Sequence, residues 1–139
     1  MERLEIQRQK GGHASLSDIL RSISDDKSLS IFQLIGDVNS NGEIILKKLG
    51  LRRRQFYSKM SAMMATDLIK RQKGIYTLTP FGKVIYCCIM IAKSAFNNYY
   101  NLNAVESIQG SGFSNEDLSK LVNILIDNQQ VKEFLGKKC

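Results

Sequence analysis

The stretch "SNGEIILKKLGLRRRQFYSKM", residues 40–60, decides the fold. Ser40 and Glu43 have the spacing of a capping box, so a helix is expected to open at Ser40. It should end at Leu49, because Gly50 occupies the position where a left-handed backbone costs least. Leu51 then turns into the core, and a second helix starts near Arg52. Helix, short glycine turn, helix is the helix-turn-helix arrangement.

The second helix has two faces. Phe56, Tyr57, Met60, Met63, Met64 and Leu68 fall on one side at helical spacing. Arg54, Gln55, Ser58, Lys59, Ala62 and Thr66 fall on the other. The first set is expected to be core and the second a polar, partly basic surface.

Working toward the C-terminus, "LIKRQKGIYTLT" (68–79) alternates around Gly74. It predicts strands over Leu68–Arg71 and Ile75–Leu78, joined by a basic turn at Gln72-Lys73-Gly74. Thr79-Pro80 is an N-cap followed by proline at the first helical position. A long helix is expected from Pro80 to about Asn103, and its apolar first half requires cover on more than one side. After "QGSG" (109–112), Ser114 and Asp117 cap a last helix over 114–135. Working back from residue 40, Ser15 and Asp18 predict a helix start, and another helix is expected from Asp26 to a stop at Gly36. Residues 1–14 read as an arm.

Charge is segregated along the chain. Lys47 to Lys83 carry ten Lys/Arg and one acid, Asp67, whereas the formal net charge of all 139 residues is only +7. One segment therefore holds all the positive excess, which points to an anionic partner, nucleic acid or a membrane surface. Membrane insertion is not expected. The apolar run "VIYCCIMIA" spans nine residues, 84–92, whereas a spanning helix needs about 20. "MERLEIQRQK" (1–10) is too charged for a signal peptide. One histidine, His13, and three cysteines without a C-x-x-C pair give no zinc pattern. A cytoplasmic, nucleoid-associated protein is expected. Cys87 and Cys88 are expected to pack as small hydrophobes. No nucleophile–base pair, paired carboxylates or phosphate loop can be read, so no catalysis, cofactor or metal is expected.

Residues 24–86, above all "LKKLGLRRRQFYSKMSAMMATDLIKRQKGIYTLTPFGKVIY" (46–86), resemble the small archaeal winged-helix regulators related to the ArsR and MarR groups. The resemblance rests on Leu51, Gln55, Phe56, Tyr57, Met60, Met63, Leu68, Ile69, Arg71, Gly74, Tyr76, Leu78, Thr79 and Gly82. It departs at Arg52, where that pattern often has Thr or Ser, and at Asp67, where it often has Gly. Asp67 is compatible with a left-handed backbone.

The resemblance implies a mainly α fold with a small β-hairpin wing: a winged helix-turn-helix plus long C-terminal dimerisation helices. The expected division is an arm (1–14), a DNA-binding domain (15–82) and a helical dimerisation region (80–139). The implied function is sequence-specific binding of double-stranded DNA by a homodimeric transcription regulator. The helix at about 52–66 would enter the major groove and the wing at about 68–78 would lie on flanking backbone or minor groove. Arg54, Gln55, Ser58 and Lys59 are the expected groove contacts. Arg52 and Arg53 are expected on phosphate, Arg71 and Lys73 on the wing, and Lys47 and Lys48 beside the backbone. The homodimer would form through helices at about 80–103 and 114–135. Tyr99-Tyr100 with Asn97-Asn98 fit dimer packing, or else a ligand pocket. Two other readings compete: a winged-helix protein-interaction module of transcription or chromatin machinery, and an effector- or redox-sensing regulator.

Overall fold

Short polar residues set the helix starts in the computed structural model, which describes residues 14–136. Ser15 Oγ accepts from Asp18 N and the Asp18 carboxylate accepts from Ser15 N, the expected capping box, and α1 spans Leu16–Ser22. Asp25 caps α2 (Asp26–Asp37) by accepting from Ser28 N at 3.0 Å. α2 runs through Gly36 rather than stopping there. A Cβ at Gly36 would lie 2.3 Å from the Tyr86 ring, so this glycine makes room for an aromatic instead of ending the helix.

Ser40 does not cap the next helix, contrary to the sequence expectation. It pairs with Tyr76 in a short strand, β1 (Ser40–Asn41), while Asn41 Oδ1 takes the N–H of Ile44 and caps α3 (Gly42–Leu49). Once Ser40 is drawn into a sheet, the neighbouring asparagine supplies the equivalent acceptor. Gly50 ends α3 at φ +61, and Leu51 N donates back to Leu46 O. α4 follows as Arg53–Ala65, and Asp67 takes the left-handed conformation at φ 59.

β2 (Ile69–Gln72) and β3 (Ile75–Leu78) form the expected hairpin with a tighter tip. Gln72 pairs with Ile75, so the turn is Lys73-Gly74 alone, both at positive φ. That is the backbone of a two-residue hairpin turn matched to strand twist. β3 is central in the antiparallel sheet, in the order β1-β3-β2. Thr79 and Pro80 start α5 (Pro80–Asn97) as predicted, with Gly82 N donating to Thr79 Oγ1 at 2.8 Å. A Cβ at Gly82 would lie 1.9 Å from Leu68 O, so only glycine lets α5 approach this backbone.

The chain divides into two compact units, one through Tyr86 and one from Cys87. The first is built on Ile31, Phe32 and Ile35 of α2, Ile45 of α3, Phe56, Met60 and Met63 of α4, and Leu68, all fully buried. Tyr86 packs edge-on to Phe32 and its hydroxyl donates to the Asp37 carboxylate. Two residues expected on the buried stripe of α4 behave differently: Tyr57 is exposed and Met64 half-buried.

In the second unit each expected long helix is two. The 80–103 helix breaks at Asn98, and α6 runs Tyr99–Gln109. Asn98 Nδ2 donates to Ser94 O at 2.8 Å and reaches Asp127 Oδ1 at 3.4 Å, so the amide competes with the helical backbone for its carbonyl. The 114–135 helix splits into α7 (Asn115–Leu125) and α8 (Gln129–Leu135). Ile126 is extended, and Asn128 Oδ1 accepts from Val131 N to cap α8. Val105, Ile126 and Val131 form the small core here, flanked by Ile91, Ala95, Leu102, Val122 and Leu125.

Cys87 and Cys88 are exposed rather than packed, as are Phe81, Val84 and Phe96 along α5. No helix among the described residues is long and apolar enough to cross a membrane. Residues 1–13, with most of the expected arm and His13, lie outside the described residues, as does Cys139.

Candidate nucleic-acid interface

α4 begins without a cap. Arg52 holds the N-cap position at φ −73, ψ 141, with no side-chain hydrogen bond to the helix, and the first turn contains no acid. The helix therefore opens with unpaired N–H groups and the positive end of its dipole. Three arginines, Arg52, Arg53 and Arg54, stand at that same end and are exposed. Cations are unfavourable there for helix stability, whereas an anion is favoured.

Partners distinguish these side chains. Arg53 meets Glu43 of α3 through two contacts, Nη1–Oε1 at 3.0 Å and Nη2–Oε2 at 3.4 Å. Arg52 and Arg54 have no ion-pair partner among the described residues. Ser58 is exposed one turn beyond Arg54, and helical spacing puts Ser61 on the same strip. Gln55 is exposed too, but its Oε1 accepts from Lys27 Nζ at 3.4 Å.

Lys59 is the exception among the expected groove residues. It is half-buried, donating to Asp25 Oδ2 at 2.7 Å and to Ser28 Oγ at 3.4 Å. Lys59 thus braces α4 against the N-terminus of α2. Its hydrogen bond, with that of Ser28, holds the Asp25 carboxyl well below the usual range. A side chain pinned in this way is costlier to redirect than Arg54.

The remaining expected residues lie on two other elements. Lys47 and Lys48 occupy the exposed last turn of α3, where cations suit the helix dipole. Arg71 pairs across the hairpin with Tyr76 and lays its guanidinium over that ring, 5.7 Å from the centroid. Part of its role is to cover an aromatic. Lys73 stands at the hairpin tip, exposed, at φ 51. That left-handed backbone is uncommon for a lysine.

Two exposed lysines adjoin this set without having been anticipated, Lys27 on α2 and Lys70 on β2. Lys27 lies 28 residues from its neighbour Gln55, so only the folded chain brings it to α4. Lys70 follows Ile69 in a strand whose last three residues are all exposed, a burial pattern that period-two alternation does not signal. Among the described residues no three His, Cys, Asp or Glu converge as a metal site would require. Comparison with known proteins finds no matching family model, no matching curated protein and no matching solved structure.

Proposed function

We propose that this chain is a winged helix-turn-helix regulator that binds double-stranded DNA sequence-specifically as a homodimer. The observation that carries the reading is the start of α4: an uncapped helix N-terminus bearing three arginines, two of them without an ion-pair partner among the described residues. The fold keeps cations where they weaken the free helix, and a phosphate backbone is the anion that repays them. The order α2–β1–α3–α4–β2–β3 is that of a winged helix, with α4 as the recognition helix and β2–β3 as the wing.

Arg54 and Ser58 face outward for base edges, with Gln55 available once it leaves Lys27. Arg52, Lys47 and Lys48 suit phosphate, as does Lys73 at the wing tip. The exposed apolar residues of α5, Phe81, Val84 and Phe96, support a second copy as cover, with α6 to α8 contributing to the interface.

The test is a salt titration of affinity for duplex DNA. Arg52→Ala should flatten the slope of log affinity against log salt by about 0.9 for each phosphate that is no longer neutralised. An unaltered slope and affinity would remove α4 from the interface.

A further inference from the structure

We infer that the second unit carries a binding site for a small organic anion with an apolar body. The site is a concavity of about 510 Å³ between the end of α6, one face of α7, and α8. That volume lies within the usual range of about 300–1,000 Å³ for small-molecule sites.

Its lining is sorted by chemistry. On α7, Asn115, Ser119 and Asn123 recur every fourth residue and form a polar ladder along the concavity. Leu118 and Val122 run beside them, and Leu135 of α8 adds a third apolar wall. Gln109 of α6 also lines it, and among the described residues Lys132 is the one cation of the lining, which there includes no carboxylate.

The side chains of Gln109, Asn115, Ser119, Asn123 and Lys132 hydrogen-bond to no group among the described residues, and Lys132 has no ion-pair partner there. Capping elsewhere in the unit is handled by other residues, Ser114 for α7 and Asn128 for α8. Gln109, Asn115, Ser119 and Asn123 are exposed and Lys132 is half-buried. Five polar side chains thus border one open concavity and are free to exchange solvent for a ligand. A charged lysine flanked by amide and hydroxyl donors recognises a carboxylate or a comparable oxyanion. Leu118, Val122 and Leu135 recognise the apolar remainder. The inference is independent of DNA binding, because no residue of α4 or the hairpin takes part.

Naphthoate and its neutral counterpart naphthamide are the probes, titrated into the isotopically labelled full chain and followed by backbone amide resonances. Naphthoate should shift amides of 109, 115–123 and 132–136 saturably, and naphthamide should bind distinctly more weakly. Lys132→Gln should weaken naphthoate about tenfold and remove the preference for the anion. Ser119→Phe should fill the concavity and abolish binding of both, with the melting temperature of each variant measured alongside. Equal binding of the two probes, shifts centred on Arg52–Arg54 instead, or no saturable shift at millimolar probe would overturn the inference.

Discussion

Phe56 of α4 and Tyr76 of β3 meet edge to face, with centroids 6.2 Å apart and ring planes at 87°. Both are buried, and each carries a surface group beside it: Tyr57 stacks edge-on to Phe56, and Arg71 covers Tyr76. The contact ties the arginine-bearing start of α4 to the hairpin. Phe56→Ala should cost about 3–5 kcal/mol, the usual penalty for emptying a buried aromatic site. Denaturant unfolding measures it. A loss under about 1 kcal/mol would mean that this junction is not part of the cooperative core.

Lys59 should act as a brace. Asp25→Ala removes both the α2 cap and the acceptor of the 2.7 Å bond, and the cap alone is worth about 1 kcal/mol. The folded Asp25 carboxyl is held below its ordinary value, so it binds a proton less readily than in the unfolded chain. Its contribution is therefore present above pH about 4 and is lost as pH falls below that. Stability measured from pH 6 down to 2 should fall less steeply in Asp25→Asn than in the parent. Parallel curves would show that the pair does not stabilise the fold.

Lys73 offers a test in which stability and binding part company. Its left-handed backbone is strained for lysine, whereas Asn-Gly is the preferred pair for such a turn. Lys73→Asn should raise stability by about 0.5–1 kcal/mol, in line with relief of unfavourable turn conformations. On the proposed reading, in which the tip charge lies on the DNA backbone, it should at the same time weaken binding to every duplex alike. Unchanged affinity at low salt would place the tip off the DNA.

The division between legible and hidden features follows the range of the interactions. Local rules locate Ser15, Gly50 and Thr79, because caps and left-handed residues answer to neighbours within four positions, whereas the left-handed Asp67 follows from the resemblance. β1 was hidden: two residues carry no alternation, and Ser40 pairs with Tyr76 36 positions away. The breaks at Asn98 and Asp127-Asn128 lay in plain view as short polar residues, but the apolar spacing on either side masked them. For the candidate site, the basic residue types were legible from composition. Their partners were not, since Lys59–Asp25 and Lys27–Gln55 span 34 and 28 positions.

The apolar face of α5 should hold two copies together. Phe81 and Val84 are exposed at i and i+3, apolar surface that water would not favour. Val84→Glu should convert a dimer to a monomer in sedimentation without loss of helicity. A parent chain already monomeric at micromolar concentration would contradict the homodimer.

Arg54 is the side chain proposed for base edges, because it points outward with no ion-pair partner among the described residues, while Arg53 and Lys59 are engaged. Arg54→Ala should lose about 1–3 kcal/mol on the preferred site and much less on random duplex. Arg54→Lys should rescue only in part, since an ammonium lacks the planar fork. Equal losses on both duplexes would make Arg54 a phosphate contact.

Selection of bound duplexes from a random pool decides whether this chain binds double-stranded DNA sequence-specifically. A two-fold dimer should enrich a pseudo-palindrome with half-sites about one helical turn, roughly 10 bp, apart. The enriched site should bind at least about a thousandfold tighter than random duplex at the same salt. A pool that emerges unenriched, with affinity set by salt alone, would mean that the chain does not read DNA sequence.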